Sequence, residues 1–543
     1  MPTFLMQPCW QRVIAWSVLV VAAMIVLLPN LSYPLIEPDE TRYAQIAIEM
    51  IDSRDWVTPT LDGTPYLDKP PLMYWLTATS FEWFGISETA ARMPSVLAAL
   101  ATIVLTYLLG QRIVGGRAAW LGAISLLLCG GFVLTGRFLI LDSLLTLFST
   151  LSLLAGYIAL QQRKIDWCWW MVSAVACALG ILTKGPVALV LCVPPLVISG
   201  WLRRDHTQAR PLHWAVFGIP LLLLACPWYV AVCSFNPEFA DYFFWEHNFK
   251  RFTAGSNHPQ PFWFFVPVLL AGMFPTSLLL PSVAVYLTGR SNPIRSLRTK
   301  DLGFLVCSAV WILVFFSLSS CKLPTYILPM FPLTCLLVGG MLDQTVFRSG
   351  SPTGVARFLL PFPQRTMLIL VAVLVIVAAV DVWFRGSMGA GTIAVVACAM
   401  GLAGGLLMTW RRQSTPSPIS WSVMAMAAGL TLGFAGWSLM PGIARSRSVY
   451  GKARQLASED PSALLVFFGE KPHAAKLQLP VDRVVYFPQP LSAEFVGFVS
   501  GQRDLILVTD DETINQTRDA IASSHDLIES GVHRHLYVAR FQR

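Results

Sequence analysis

Charge is what this chain has least of. Only 13% of its 543 residues are Asp, Glu, Lys or Arg, against roughly a quarter in soluble domains. So little charge cannot clothe a soluble globule of this size. The 55% of hydrophobic residues and a mean hydropathy of +0.59 place most of the chain in lipid. Cysteine is missing from residues 30–91 and from everything after Cys398, so no disulfide framework holds those parts. The eleven cysteines sit mostly inside apolar runs, where a thiol serves as a small hydrophobe. Lys and Arg are also sparse in every second loop, and that asymmetry sets the topology.

Runs of about twenty apolar residues imply helices, because only helices and closed barrels satisfy their backbone in a bilayer. About thirteen spans are expected, over 13–29, 92–110, 118–135, 139–160, 167–183, 186–201, 213–233, 262–287, 303–320, 323–342, 367–384, 391–410 and 420–439. The first has only Arg12 ahead of it and no small-residue cleavage site, so it is read as a retained span. Basic residues gather in alternate loops, among them Arg112 with Arg117, Arg203 with Arg204, Arg295 with Arg298, and Arg411 with Arg412. The positive-inside rule makes those loops cytoplasmic. The net charge of +8 is then a topology signal and gives no reason to invoke nucleic acid.

The opposite face holds loops 30–91 and 234–261 and everything past 440. The fold class expected is a polytopic α-helical membrane protein. Its membrane domain covers 1–440, and a small soluble α/β domain covers 441–543. In that tail, Leu464–Phe468, Val484–Phe487, Leu505–Val508 and Leu536–Ala539 have the short apolar character of buried strands. Helical spacing recurs near 447–458, 491–500 and 511–523, and alternating strands and helices imply a layered α/β domain. His533 and His535 are expected on one strand, as surface residues.

The polar residues of the outer loops are clustered, not scattered. Glu37-Pro38-Asp39-Glu40-Thr41-Arg42-Tyr43 puts three carboxylates and an arginine into seven residues. Such a cluster beside a span is expensive to keep dry and calls for water, a cation or a polar substrate. The apolar spacing of Ala44, Ile46, Ala47, Ile48, Met50 and Ile51 continues it as an amphipathic helix along the membrane surface. Asp68-Lys69-Pro70-Pro71 holds an ammonium on a stiff backbone, suited to a phosphate or an ion pair. Asp142 interrupts an apolar run, which costs a few kcal/mol unless it is solvated or partnered. Thr183-Lys184-Gly185-Pro186 is a weaker case of the same kind.

The ring-rich stretch Tyr242–Phe252 carries Glu246, His247, Lys250 and Arg251, and His258 follows. Aromatics are ordinary at a membrane boundary; the ionisable groups among them are not. Asp68 with His247 or His258 makes a candidate site for a divalent metal, zinc first, since N/O ligands with open positions suit such an ion. The alternative is that Asp68 pairs with Lys69 or Arg42 and the histidines cap aromatic packing. Lys322-Leu323-Pro324-Thr325-Tyr326 lies at a helix break, where a phosphate can be met at membrane depth.

Taken together and in order, Pro38–Tyr43, Asp68-Lys69-Pro70, Leu141-Asp142, Thr183-Lys184-Gly185, Phe244–His247, Arg251-Phe252, His258, Pro261–Trp263 and Lys322–Tyr326 resemble the bacterial aminoarabinose transferases of lipid A. Those belong to the protein-mannosyltransferase-like GT-C class of membrane glycosyltransferases. Asp68 departs from the family pattern, which has Glu there, and its shorter reach weakens a metal role. The resemblance implies transfer of 4-amino-4-deoxy-L-arabinose from undecaprenyl phosphate to lipid A phosphates at the periplasmic face of the inner membrane, by a monomer embedded in membrane lipid. Lys69, Arg251, Lys322 and Tyr326, with Arg42 and Glu40 as further substrate contacts, would then hold the carrier phosphate as it leaves. Asp39 would orient the acceptor phosphate or meet the sugar amine, and Asp142 would bind the cationic amine.

Two rivals stand beside this reading. One is a transferase with another polyprenyl-phosphate sugar and a protein or cell-wall acceptor, whose site would barely differ. The other is a transporter or flippase for lipid-linked sugars. Against the second, the polar residues cluster at one face and no trail of charges runs through successive spans, as transport pathways favour.

Overall fold

The computed structural model describes residues 9–202, 207–254, 259–348, 354–359, 361–372, 418–441, 444, 449–468, 483–487, 495, 497–498, 502, 504–510, 526–533 and 536–542. The chain divides into two compact units. One comprises 1–29, 66–73 and 94–436; the other comprises 30–65, 74–93 and 437–543. The sequence did not foretell that the first outer loop belongs with the tail.

The first unit is a bundle of apolar helices. They are α1 (Cys9–Leu27), most of α4 (Glu88–Gly110), α5 (Gly116–Leu127), α6 (Gly130–Gly136), α7 (Leu141–Leu160), α8 (Trp167–Lys184) and α9 (Val187–Leu202), followed by further helices to Phe434. Among the described residues six helices are long and apolar enough to cross a membrane: Glu88–Gly110, Leu141–Leu160, Trp167–Lys184, Pro211–Phe235, Pro324–Thr345 and Pro418–Trp437. Two further spans are bent pairs, 116–136 by 68° and 262–288 by 107°, and three apolar helices (Val13–Leu27, Val187–Gly200, Leu302–Leu318) are shorter. Eleven of the thirteen expected spans thus have a helical counterpart. The expected span 391–410 and most of 367–384 lie outside the described residues. Small residues let the helix backbones meet, as is usual between membrane helices. A Cβ on Gly339 would overlap the Ala118 carbonyl of α5.

In the second unit, α2 (Asp39–Ser53) starts at the acidic cluster, as its apolar spacing predicted, and a two-stranded hairpin follows, β1 (Thr60–Leu61) with β2 (Thr64–Pro65). Glu49 of α2 ties the hairpin down. Its carboxylate accepts from Thr60 Oγ1 at 2.7 Å, Asp62 N at 2.8 Å and Gly63 N at 3.2 Å. Burial pushes the Glu49 carboxyl up, but the bonds from Gln45, Thr60 and the hairpin amides prevail and hold it below the usual range.

The tail of this unit folds as a five-stranded sheet ordered β4-β3-β5-β7-β6. Its strands are β3 (Leu464–Phe468), β4 (Val484–Phe487), β5 (Asp504–Asp510), β6 (Asp526–His533) and β7 (Leu536–Gln542). β3 runs parallel to β4 and β5, and β7 is antiparallel to β5 and β6. Alternation along the strands covers both faces: Leu465, Phe467, Ile506 and Val508 pack with Leu456 of the helix Val449–Glu459, whereas Val466, Leu505 and Leu507 pack with Phe487 and Phe495. All four expected strands are present. The fifth, β6, was missed because its Glu529-Ser530-Gly531 centre breaks the apolar run. His533 ends β6 and pairs with Leu536, the first residue of β7, and His535 lies outside the described residues.

Candidate active site

The first unit gathers most of the residues singled out by sequence. The segment Asp241–Lys250 is wound as a π-helix, leading into Arg251–Ala254. Such wider turns are rare and recur at functional sites. Here the register places Tyr242, His247 and Arg251 so that all three reach the Tyr66–Met73 segment or its partners. The Tyr242 hydroxyl donates to Asp68 Oδ1 at 2.5 Å. Nε2 of His247 meets Lys69 Nζ at 2.7 Å and Arg251 Nη1 at 3.4 Å, and its Nδ1 lies 3.8 Å from Asp68 Oδ1. Arg251 Nε donates in turn to the Cys321 sulfur at 3.4 Å.

These groups tune one another. Burial, and then the charges of Lys184 and Arg251, push the Lys69 ammonium down to about 7, against the pull of Asp68 and Asp142. Burial and the neighbouring Lys69 and Arg251 push His247 down to about 3. The imidazole is therefore neutral and accepts from Lys69. Burial raises the Asp68 carboxyl, but the Tyr242 hydroxyl, His247 and Lys69 outweigh it and hold it below its usual value. Tyr242 is raised to about 12 by burial and by Asp68. The result is a half-buried pair of cations, Lys69 and Arg251, whose mutual repulsion an anion would relieve.

A second cluster adjoins through Tyr326. Asp142 sits at the start of α7 and is 7% exposed. Its Oδ1 accepts from Lys184 Nζ at 2.5 Å and its Oδ2 from Thr325 Oγ1 at 2.8 Å. The same ammonium stands 4.2 Å from the centroid of the Tyr326 ring, and the Tyr326 hydroxyl meets the Cys321 thiol. Lys184 is the last residue of α8, and Gly185 after it has φ 83°. A Cβ there would stand 2.8 Å from the Phe243 ring of the π-helix, so only glycine lets α8 end so close.

Several sequence expectations are corrected by these contacts. Lys322 is 4% exposed, and its ammonium donates to the carbonyls of Gln260 at 2.9 Å and Ser319 at 2.5 Å. It is spent on fixing backbone. Asp142 is not an open carboxylate but one already holding a lysine. Asp68 accepts from Tyr242 and faces His247 Nδ1, with the Lys69 charge also acting on it. Tyr242, Thr325 and Cys321 were passed over. Tyr242 looked like one more interfacial ring, because a five-residue spacing to His247 carries no α-helical signal. Cys321 looked like a small hydrophobe.

Asp39, Glu40 and Arg42 belong to the second unit. Asp39 opens α2 with its side chain 49% exposed, its Oδ1 3.9 Å from Arg42 Nη1. Glu40, expected to touch substrate, is 2% exposed and committed elsewhere. It accepts from Arg92 Nε at 2.9 Å, Arg92 Nη2 at 2.7 Å and the Ile36 amide at 2.8 Å. Arg92, fully buried, also donates to the carbonyls of Leu31, Tyr33 and Pro34. One guanidinium thus shapes the segment that leads to Asp39.

Of the proposed metal ligands, Asp68 and His247 are neighbours, and His258 lies outside the described residues. Among the described residues no three His, Cys, Asp or Glu side chains form a group able to hold a metal. Asp68 and His247 Nδ1 are the two candidate ligands that lie together, and Nδ1 could take a metal only in the tautomer whose Nε2 carries the proton and no longer accepts from Lys69.

Known proteins bear on this arrangement in three ways. Residues 68–230 match the dolichyl-phosphate-mannose-protein mannosyltransferase family. The chain is 36% identical over 340 residues to an undecaprenyl phosphate-α-4-amino-4-deoxy-L-arabinose arabinosyl transferase of Pseudomonas fluorescens, covering 60% of this chain and 56% of the relative. The Yersinia pestis enzyme of that name is 35% identical over 337 residues, with 59% and 58% covered. The chain thus spans less than two thirds of the length of the curated relatives it matches. The crystal structure of ArnT from Cupriavidus metallidurans bound to undecaprenyl phosphate superposes with a TM-score of 0.71, at 24% identity and with 98% of each chain covered. The chain therefore shares the fold of that ArnT structure, and the proteins it resembles in sequence include undecaprenyl phosphate-aminoarabinose arabinosyl transferases.

Proposed function

We propose that this protein transfers 4-amino-4-deoxy-L-arabinose from undecaprenyl phosphate to a phosphate of lipid A, at the periplasmic face of a bacterial inner membrane. The observation that carries the reading is the half-buried Lys69–His247–Arg251 cluster. Two cations held by a neutral imidazole in a charge-poor protein form a receptor for a lipid phosphate. In the reaction, an oxygen of the acceptor phosphate attacks C1 of the sugar as the bond from C1 to the carrier phosphate oxygen breaks, and undecaprenyl phosphate leaves. Lys69 and Arg251 offset the charge that develops on the leaving phosphate. The acceptor is already an anion, so no strong base is needed, and Asp39 is assigned to orienting it. The apolar spans supply the surface for the polyprenyl chain.

Asp68 and His247 would also be the protein ligands of a divalent ion, which would add positive charge beside the carrier phosphate. Mass spectrometry of lipid A from cells with and without the intact gene tests the whole reading. The expected result is one aminopentose on phosphate, present only with the gene. Unchanged lipid A in cells that express the protein and make the donor would refute it.

A further inference from the structure

Residues 319–322 follow the helix Leu302–Leu318 and are tied to the chain around Arg251. The Ser320 amide donates to the Phe252 carbonyl at 2.8 Å, and the Ser320 hydroxyl to the Thr253 carbonyl at 2.8 Å. Cys321 forms an antiparallel bridge with Pro259, and the Lys322 ammonium joins the carbonyls of Gln260 and Ser319. Among these ties the Cys321 side chain is 1% exposed, and its sulfur accepts from Arg251 Nε at 3.4 Å. The Tyr326 hydroxyl meets the same sulfur.

We propose that Cys321 is a positioning residue, whose sulfur aims the Arg251 guanidinium at the carrier phosphate while Ser320 and Lys322 hold the sulfur in place. This rests on the reading of Arg251 as part of the phosphate cradle. Nε is the inner donor of the guanidinium, so a partner there fixes the plane of the fork and leaves the outer nitrogens for a bidentate anion. The 3.4 Å approach of Nη1 to His247 is long for a hydrogen bond, and a phosphate oxygen displaces little by taking its place. The choice of sulfur also has a reason. A carboxylate at position 321 would hold the same nitrogen but cancel the charge that the phosphate needs. A thiol sulfur is a weak acceptor, enough to orient the group and too little to compete for it. A fork already held loses less freedom when the ligand arrives, and the gain appears as affinity.

The test is a double-mutant cycle on undecaprenyl phosphate binding, with the full-length protein in nanodiscs. Cys321→Ala should weaken binding by about fivefold to tenfold, and Cys321→Ser, which returns an acceptor, should recover most of that loss. In an Arg251→Ala background, Cys321→Ala should cost nothing further, whereas a sulfur that merely packs would cost the same in both backgrounds. If Cys321→Ala does not fold, Ser320→Ala replaces it in the cycle, with a smaller loss that again vanishes without Arg251. Parental binding by Cys321→Ala, no recovery in Cys321→Ser, or equal losses in the two backgrounds overturns the positioning role and leaves the cradle standing. Parental binding by Arg251→Ala overturns the cradle itself, and the role of the sulfur with it.

Discussion

Lys69 Nζ and His247 Nε2 stand 2.7 Å apart, two groups that each carry a proton in other settings. They coexist because burial and the neighbouring cations push His247 down to about 3, which leaves the ring as an acceptor. The ammonium is thereby aimed and its proton loosened, and a phosphate that arrives between Lys69 and Arg251 restores the favourable charge.

The first prediction follows from that geometry. Lys69→Ala and Arg251→Ala should each weaken undecaprenyl phosphate binding by about tenfold to a hundredfold, the worth of one charge-assisted hydrogen bond in a partly dry site. Turnover should fall with it. If both variants bind the carrier as tightly as the parent, the cradle is elsewhere.

Asp39→Asn should abolish transfer and leave expression and thermal stability as in the parent, because the half-exposed side chain packs no core. Arg92→Ala should do the reverse. It strands the buried Glu40 carboxylate and three carbonyls, at a cost of about 3–5 kcal/mol, read as a lower melting temperature and poor yield. An Arg92→Ala protein as stable as its parent would show that the segment 31–40 does not depend on the guanidinium.

A resident metal through Asp68 and His247 predicts near-stoichiometric metal by elemental analysis of purified protein. His247→Ala should lower that content. Metal-free protein that transfers sugar undiminished in the presence of chelator would exclude an essential ion.

Glu49 sets a pH dependence in the other unit. Its carboxyl is held below the unfolded value, so its contribution is complete above the unfolded pKa and is lost as pH falls through the folded one. Amides of the hairpin 60–65 should exchange hydrogen faster in mild acid than at neutral pH after correction for intrinsic rates. Glu49→Gln should show the fast exchange already at neutral pH. Equal protection in parent and variant would remove Glu49 from the hairpin's support.

How much of this was legible in the sequence depends on which physical signal carried it. The spans were legible because lipid forbids unsatisfied backbone, and the parallel strands of the tail because burial on both faces demands unbroken apolar runs. The candidate site was legible as residue types: Lys69, His247, Arg251 and Asp142 stood out against an apolar background. Their partners did not. Nothing local marks Arg92 as the counter-ion of Glu40, 52 residues away, or Lys184 as the ligand of Asp142. Pairings across such separations arise only when helices pack. Lys322 shows the converse, a cation that looks functional in sequence and is consumed by carbonyls.

The π-helical winding of 241–250 has a consequence for how this protein can change over time. Each residue of a helical segment turns the chain by roughly a quarter-turn, so losing or gaining a single residue between Tyr242 and Arg251 would swing one end of the segment away from Asp68 and Lys69. The stretch is therefore a ruler whose length matters, and naturally occurring variants should keep its residue count even where an exposed ring such as Phe249 is exchanged.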